Sequence, residues 1–453
     1  MKMTLKECAD IVQGELIGDN VAFESVSIDT RAIQQGQLYI AIKGHQFDGN
    51  EFVEQAAQAG AIAAIVHEGV QTSLPHIVVK DTRLALAELA GAWRKKLALS
   101  VVGITGSNGK TTVKEMTAAI LAVHDTVLYT QGNLNNDIGV PLTLLRLNES
   151  QRYAVIEMGA NHPREIAYTS HYAASDVVIL NNAGAAHLEG FLSLEGVAKA
   201  KGEIIETLKA DGTAVLNRDD KFFEYWQGVA GSRKVISFGL NPAADVRAET
   251  INMAVINQQF ATAFDLLYQT QRINIQLKLA GSHNVTNALA AASACLALGI
   301  SLEQIKQGLE SLKPVTGRMQ PYIGRKGNLI IDDTYNANST SFKAGVKVLL
   351  ECAKKPWVVL GAFGELGEDS ASIHAEIGEF MKLNGVQRLF ALGEDARYTV
   401  QAFGEGAAFF ATHDELINAL QNELQGDESL LIKGSRARQM EKVAAALIDN
   451  FRI

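Results

Sequence analysis

The sequence predicts an α/β protein of three domains: a small N-terminal α/β unit, a central P-loop domain on a mostly parallel sheet, and a C-terminal Rossmann-like doubly wound domain. Three observations carry that expectation. The chain has 453 residues, too many for one ordinary core. Short apolar runs alternate with helical stretches, which is the rhythm of βαβ units. A glycine-rich loop ending in Gly-Lys-Thr stands between an apolar run and a helix near residue 110, and the rhythm restarts after "KPVTGR" (313–318), where Pro and Gly suit a linker.

Residues 1–82 read as a compact unit of short strands and one helix. "VSIDTR", "LYIAIKG", "AAIVH" and "HIVVKD" have the composition of strands, and "GNEFVEQAAQAGA" the apolar spacing of an amphipathic helix. "TRLALAELAGAWRKKL" is a helix leading into the central domain, residues 83–313. There "VVGIT", "TVLYT", "YAVIEMG", "DVVILNN", "TAVLN" and "KVISF" are strand runs separated by helical stretches, so a parallel sheet is expected. Residues 246–280 alternate polar and apolar positions, a pattern that suits antiparallel strands. "GSHNVTNALAAASACLALG" and "SLEQIKQGLESL" then read as helices. Over 314–453, "NLIIDDTYN", "WVVLGAFG", "RLFALG", "AAFFA" and "SLLIKGS" imply a second doubly wound sheet.

Composition narrows the function classes. A formal charge of −9 without Lys/Arg runs argues against nucleic acid or an anionic membrane as partner. Cys8, Cys295 and Cys352 stand far apart with no CxxC pair, which implies neither a disulfide framework nor a zinc site and fits a reducing compartment. "MKMTLKECADIVQGEL" carries charges where a signal peptide needs its apolar segment. The longest apolar tract, 288–300, is short for a bilayer and rich in Ala, so a buried helix and no membrane insertion are expected. A cytoplasmic protein is the natural reading.

The chemistry centres on "VVGITGSNGKTT" (101–112). Walker A spacing would put a glycine where Ile104 stands; the glycines fall instead at Gly103, Gly106 and Gly109. Backbone N–H groups of Gly106, Ser107, Asn108 and Gly109 in such a loop form an anion nest, reinforced by the dipole of the helix that Lys110, Thr111 and Thr112 begin. Lys110 would reach the terminal phosphates of a nucleoside triphosphate, and the Thr111 hydroxyl would bind Mg²⁺. An ordinary glycine turn before a helix is the competing reading.

Other residues are ambiguous by themselves. Glu157 ends a strand, where a carboxylate either holds Mg²⁺ or is merely solvated. His187 lies in the loop "NNAGAAHLEG", and a lone loop histidine is usually a surface residue. Lys199 and Lys201 in "GVAKAKGEII" need be no more than a solvated face. Asn284 and Asn287, three apart, share one face of a helix start, suited to reading an adenine or to capping. Arg318 suits a phosphate. Asp332 and Asp333 suit a ribose hydroxyl, a lysine partner or a metal.

Together these segments resemble the Mur ligase family, the ATP-dependent amide-forming enzymes of peptidoglycan assembly. "TGSNGKTT" matches the family's TGTNGKT-type loop with its own spacing, and "IEMGANHPREI", "NNAGAAHLEGF", "AKAKGEI", "GSHNVTNALAA", "GRMQ", "DDTYNAN" and "LLIKGSRARQME" follow in the family's order across the whole chain. "GNLNNDIGVPLTLL", "EMGANHPREI" and "DDTYNANSTSF" look like the branch that adds D-alanyl-D-alanine to UDP-N-acetylmuramoyl-tripeptide.

The resemblance implies ATP and two Mg²⁺ as cofactors, and the nucleotide sugar peptide and the dipeptide as substrates of a monomer. It makes Glu157 and His187 metal ligands and Lys201, rather than Lys199, the lysine that carries a CO₂-derived carbamate able to hold a second Mg²⁺. Asn284 and Asn287 match positions near the nucleotide, and Arg318 and Asp333 the C-terminal domain's contribution to it. "SIDTR" and "GHQFDG" resemble uridine-diphosphate-binding segments, which makes Thr30, Arg31 and Asp48 candidates. Relatives usually read GDMxELG where this chain has "GAFGELG", with Ala362 and Phe363 in place of Asp and Met.

Overall fold

The computed structural model describes residues 1–44, 47–184, 188–256, 259–312, 317–449 and 451. Three α/β domains follow one another along the chain, as the sequence predicts. In the first, a five-stranded sheet has the spatial order Glu15–Ile17, His76–Val79, Ala63–His67, Leu38–Ile40, Val26–Ser27, and only its first pair is antiparallel.

Two expectations for this unit are corrected. Its described residues hold two α-helices, Leu5–Val12 and Val53–Gln58, not one. The first is nucleated by a capping box, in which Thr4 and Glu7 exchange side-chain and backbone hydrogen bonds, and it buries Leu5, Cys8, Ala9 and Val12 on one face. "VSIDTR" is a strand only at Val26–Ser27, because the Asp29 carboxylate accepts the Arg31 N–H and turns the chain into the 3₁₀ segment Thr30–Ala32.

The central sheet has nine strands, in the order Gln271–Leu277, Gln259–Tyr268, Val246–Ile256, Lys234–Gly239, Thr213–Asn217, Val177–Leu180, Ser100–Thr105, Tyr153–Glu157, Val127–Tyr129. The last six are parallel, and the first three form the antiparallel meander, joined to them where Phe238 pairs with Val246. Register sets the site. Glu157 stands level with Ile104 and Leu180 level with Thr105, so the loop after Thr105 leaves the sheet between two other strand ends. Helix Lys110–His124 follows and packs against helix Ser282–Ala297, whose Ala288, Ala290, Ala291, Ala292 and Ala294 are fully buried. No helix among the described residues is long and apolar enough to cross a membrane.

The third domain is a six-stranded sheet in the order Gln320–Ile323, Leu329–Asp333, Ser429–Lys433, Pro356–Gly361, Arg388–Leu392, Ala407–Phe410, parallel except for its first strand. That edge strand contains Pro321, tolerated where no neighbour needs its N–H. One core runs from Met3 and Leu5 through Leu86 and Leu89 of helix Thr82–Lys96 to Ile156 and Trp226, so the first two domains are packed as one. The boundary placed after residue 82 falls at the first residue of that helix, and the boundary after 313 lies outside the described residues. The third domain has its own core, which takes in Phe260 and Ala280 of the central domain.

Candidate active site at the junction of the central and C-terminal domains

A cleft of about 1200 Å³ lies between the C-terminal ends of the central strands and the third domain. Ser107, Asn108, Gly109, Lys110, Thr111 and Thr112 line it on one side, and Arg318, Asp333, Tyr335 and Arg436 on the other.

The loop's shape depends on its glycines. Gly109 caps helix Lys110–His124 at φ +79°, and a Cβ there would lie 2.4 Å from Asn287 Oδ1 and 2.5 Å from Asn181 Nδ2. The loop is held from the neighbouring strand end. Ser107 N–H donates to Asn182 O at 3.0 Å, Asn108 N–H to Asn182 Oδ1 at 2.8 Å, and Asn181 Nδ2 to Asn108 O at 2.9 Å. Lys110 Nζ donates to Gly106 O at 2.7 Å, which folds the cation over its own loop. Burial depresses the Lys110 pKa, Glu157 opposes that shift, and the charge of Arg318 adds to it.

Glu157 is 2 % exposed and faces the cleft. Its Oε1 accepts from Asn135 Nδ2 at 2.9 Å, its backbone N–H donates to Thr130 Oγ1 at 3.0 Å, and its Oε2 is buried without a hydrogen-bond partner. A carboxylate oxygen so placed is costly unless a cation reaches it. Gly106, too, is tightly set, since a Cβ there would meet Asn181 at 3.0 Å.

The two lysines of "AKAKGEI" separate clearly. Lys199 is exposed, whereas Lys201 is 1 % exposed on helix Leu194–Glu206, with its Nζ 5.4 Å from the centre of the Phe191 ring. Burial first, and then the charge of Lys110, push the Lys201 pKa down to about 7. Lys201 is not among the residues that line the cleft. His187 lies outside the described residues.

Asn284 and Asn287 are buried at the start of helix Ser282–Ala297 and face the cleft. Asn287 Oδ1 accepts from Asn181 Nδ2 at 3.0 Å, and Asn287 Nδ2 donates to Asn284 Oδ1 at 3.3 Å. This amide chain braces Gly109. Between these residues and the helix start, His283 also lines the cleft, and burial holds its pKa down to about 4. Across the cleft, the Arg318 guanidinium lies 4.3 Å from the centre of the Tyr335 ring. Of the alternatives left open for Asp333, the lysine partner is realised: Lys433 Nζ donates to Asp333 Oδ2 at 2.6 Å, with both side chains buried.

Thr30, Arg31 and Asp48 lie in the first domain, away from the cleft. Arg31 pairs with Asp29 at 2.7 Å, and Asp48 caps Gly49–Phe52. The segments carrying Asp29 and Asp48 converge on Tyr39, whose hydroxyl is pushed up to about 12 by burial and by those two carboxylates. Phe363 is buried against Phe342 and His374, and Ala362 is wholly buried, so the two departing positions of "GAFGELG" are core. Sequence reasoning missed Asn135, Asn181, Asn182, His283, Tyr335 and Lys433. Asn181 and Asn182 had a signal, since they end an apolar strand run beside the loop.

The family model described as the Mur ligase middle domain matches residues 104–295, that of the Mur ligase family catalytic domain 22–94, and that of the Mur ligase glutamate ligase domain 317–436. The chain is 44% identical to the UDP-N-acetylmuramoyl-tripeptide--D-alanyl-D-alanine ligase of Escherichia coli (strain K12), over 99% of each chain. It is 39% identical to the enzyme of that name from Haemophilus influenzae (strain ATCC 51907 / DSM 11121 / KW20 / Rd), over 100% of each. A crystal structure of MurF from Acinetobacter baumannii superposes with a TM-score of 0.93 at 36% identity, covering 98% of each chain. With loop, strand-end carboxylate and third domain assembled around one cleft, and with relatives matched from end to end, the chain belongs to the Mur ligase family.

Proposed function

We propose that this protein is an ATP-dependent amide ligase that joins D-alanyl-D-alanine to UDP-N-acetylmuramoyl-tripeptide, releasing ADP and phosphate. The observation that carries the reading is Glu157, a buried strand-end carboxylate with an unpartnered oxygen, level with the end of the strand that leads into the phosphate loop, in a cleft shared by two domains. Its relatives along the whole chain bear that activity in their names.

The substrate carboxylate is a weak acylating agent, so its oxygen attacks the γ-phosphorus of ATP and ADP leaves. The dipeptide amine then attacks the acyl carbon and phosphate departs. The loop N–H groups and Lys110 hold the phosphates and offset their charge, and Arg318 approaches from the other side of the cleft. Asn181, Asn182 and Asn287 keep the loop in the conformation its glycines permit. The third domain shields the acyl phosphate from water.

Mg²⁺ fits the donors present. The unpartnered Glu157 Oε2 and the Thr111 hydroxyl would hold one ion, with His187 as a further ligand, a carbamate on Lys201 would hold the second, and the ions would supply charge neutralisation to phosphoryl transfer. The carbamate reading is supported by the burial that pushes the Lys201 pKa down to about 7, which favours the neutral amine whose lone pair attacks the carbon of CO₂ and then loses a proton.

The test is phosphate release with ATP and the UDP-muramoyl-tripeptide, with and without D-alanyl-D-alanine. Release that depends on the dipeptide is expected, and release indifferent to it overturns the ligase reading.

A further inference from the structure

The acceptor dipeptide is a zwitterion, and its terminal carboxylate needs a cation that the phosphate machinery does not occupy. Six cationic side chains are found among the described residues lining the cleft: Lys110, Lys221, Arg318, Lys343, Lys433 and Arg436. Lys110 and Arg318 are near enough for the charge of one to shift the other's titration, and both belong to the phosphate end. Lys433 is locked to Asp333, and Lys343 to Glu376, each at 2.6 Å. Lys221 stands beside Asp219 and Asp220 on the central domain. Arg436 differs. Its side chain is 63% exposed, its partner Glu441 is a loose 3.5 Å away, and its backbone N–H is pinned to Asn336 Oδ1 at 3.3 Å.

We infer that Arg436 binds the terminal carboxylate of the acceptor dipeptide. The inference rests on the ligase reading above and adds a recognition residue to it. The geometry suits the length of the ligand. Arg436 lies 6.0 Å from the centre of the Tyr335 ring and Arg318 lies 4.3 Å from it, so both guanidiniums pack near one aromatic side chain of the cleft. An extended dipeptide spans about 7 Å, long enough to reach from Arg436 toward the phosphate end of the same cleft with its amine leading. A guanidinium presents two parallel N–H donors to a carboxylate, which a lysine does not.

The experiment compares D-alanyl-D-alanine with its C-terminal amide as acceptor, in the unmodified enzyme and in Arg436→Gln and Arg436→Lys. The unmodified enzyme should prefer the free carboxylate by roughly ten- to hundredfold in kcat/KM. Arg436→Gln should raise KM for the free dipeptide by a similar factor, erase the preference, and leave KM for ATP unchanged. Arg436→Lys should keep part of the preference, which separates recognition from misfolding. A preference that survives in Arg436→Gln, or a rise in KM for ATP instead, overturns the inference while dipeptide-dependent turnover stands. Absence of that turnover in the unmodified enzyme overturns the ligase reading, and this inference with it.

Discussion

Asn338 Nδ2 of the third domain donates to Asn108 Oδ1 of the phosphate loop at 2.6 Å. The third domain thus touches the loop itself, not only the rim of the cleft. The Asn108 side chain makes this contact while its backbone is held separately by Asn181 and Asn182, so Asn108→Ala removes the bridge and spares the loop. Asn338 also caps helix Ser339–Cys352, a duty that Ser would retain in Asn338→Ser. Each variant should raise KM for ATP several-fold, with a coupling of about 0.5–1.5 kcal/mol in the double-mutant cycle. Small-angle scattering should show a more expanded free enzyme. Strictly additive effects would mean that the bridge does not contribute to closure.

Glu157→Gln keeps the shape and the Asn135 contact and removes a buried charge. Turnover should fall by at least about 100-fold, and the Mg²⁺ concentration for half-maximal rate should rise. Thermal stability should hold or improve, because a buried carboxylate with an unpartnered oxygen destabilises the fold. An unaltered Mg²⁺ requirement would remove Glu157 from the metal site.

Lys201→Ala should abolish activity, and millimolar acetate should restore part of it by replacing the carbamate's carboxylate. Lys199→Ala, at an exposed position on the same helix, should leave activity intact. If Lys201→Ala remains fully active, the carbamate assignment is wrong.

Gly109→Ala meets two obstacles: a positive φ, costing about 1–2 kcal/mol, and the Asn287 and Asn181 amides. Gly36→Ala is the control, since Gly36 has φ +87° and nothing within 4 Å of a new Cβ. Nucleotide titration should show Gly109→Ala losing ATP affinity at least tenfold, with Gly36→Ala losing only stability. Equal ATP affinity in the two variants would show the amide cage to be incidental.

Local pattern made the sheets legible, because apolar runs bounded by turns report buried strands wherever they lie. It failed where a side chain redirected the backbone, as Asp29 does after Val26–Ser27, and it passed over Leu5–Val12 although the apolar residues at 5, 8, 9 and 12 have helical spacing. The "TLKE" capping signal was nevertheless there to be read. The phosphate loop was legible because its chemistry is contiguous. Its bracing was not: Asn181 and Asn287 meet across 106 residues of chain, and Asp333 meets Lys433 across 100. Such partners are chosen by topology, which no local window contains.

The shared core of the first two domains has a consequence for what the enzyme measures. Helix Thr82–Lys96 is packed into both, so the distance from the Asp29–Tyr39–Asp48 corner to Glu157 stays constant when the third domain moves. A nucleotide sugar bound at that corner, as the sequence resemblance implies, would be held against a ruler. A peptide stem one residue too short or too long would then present its carboxylate off the mark, before any phosphate is spent.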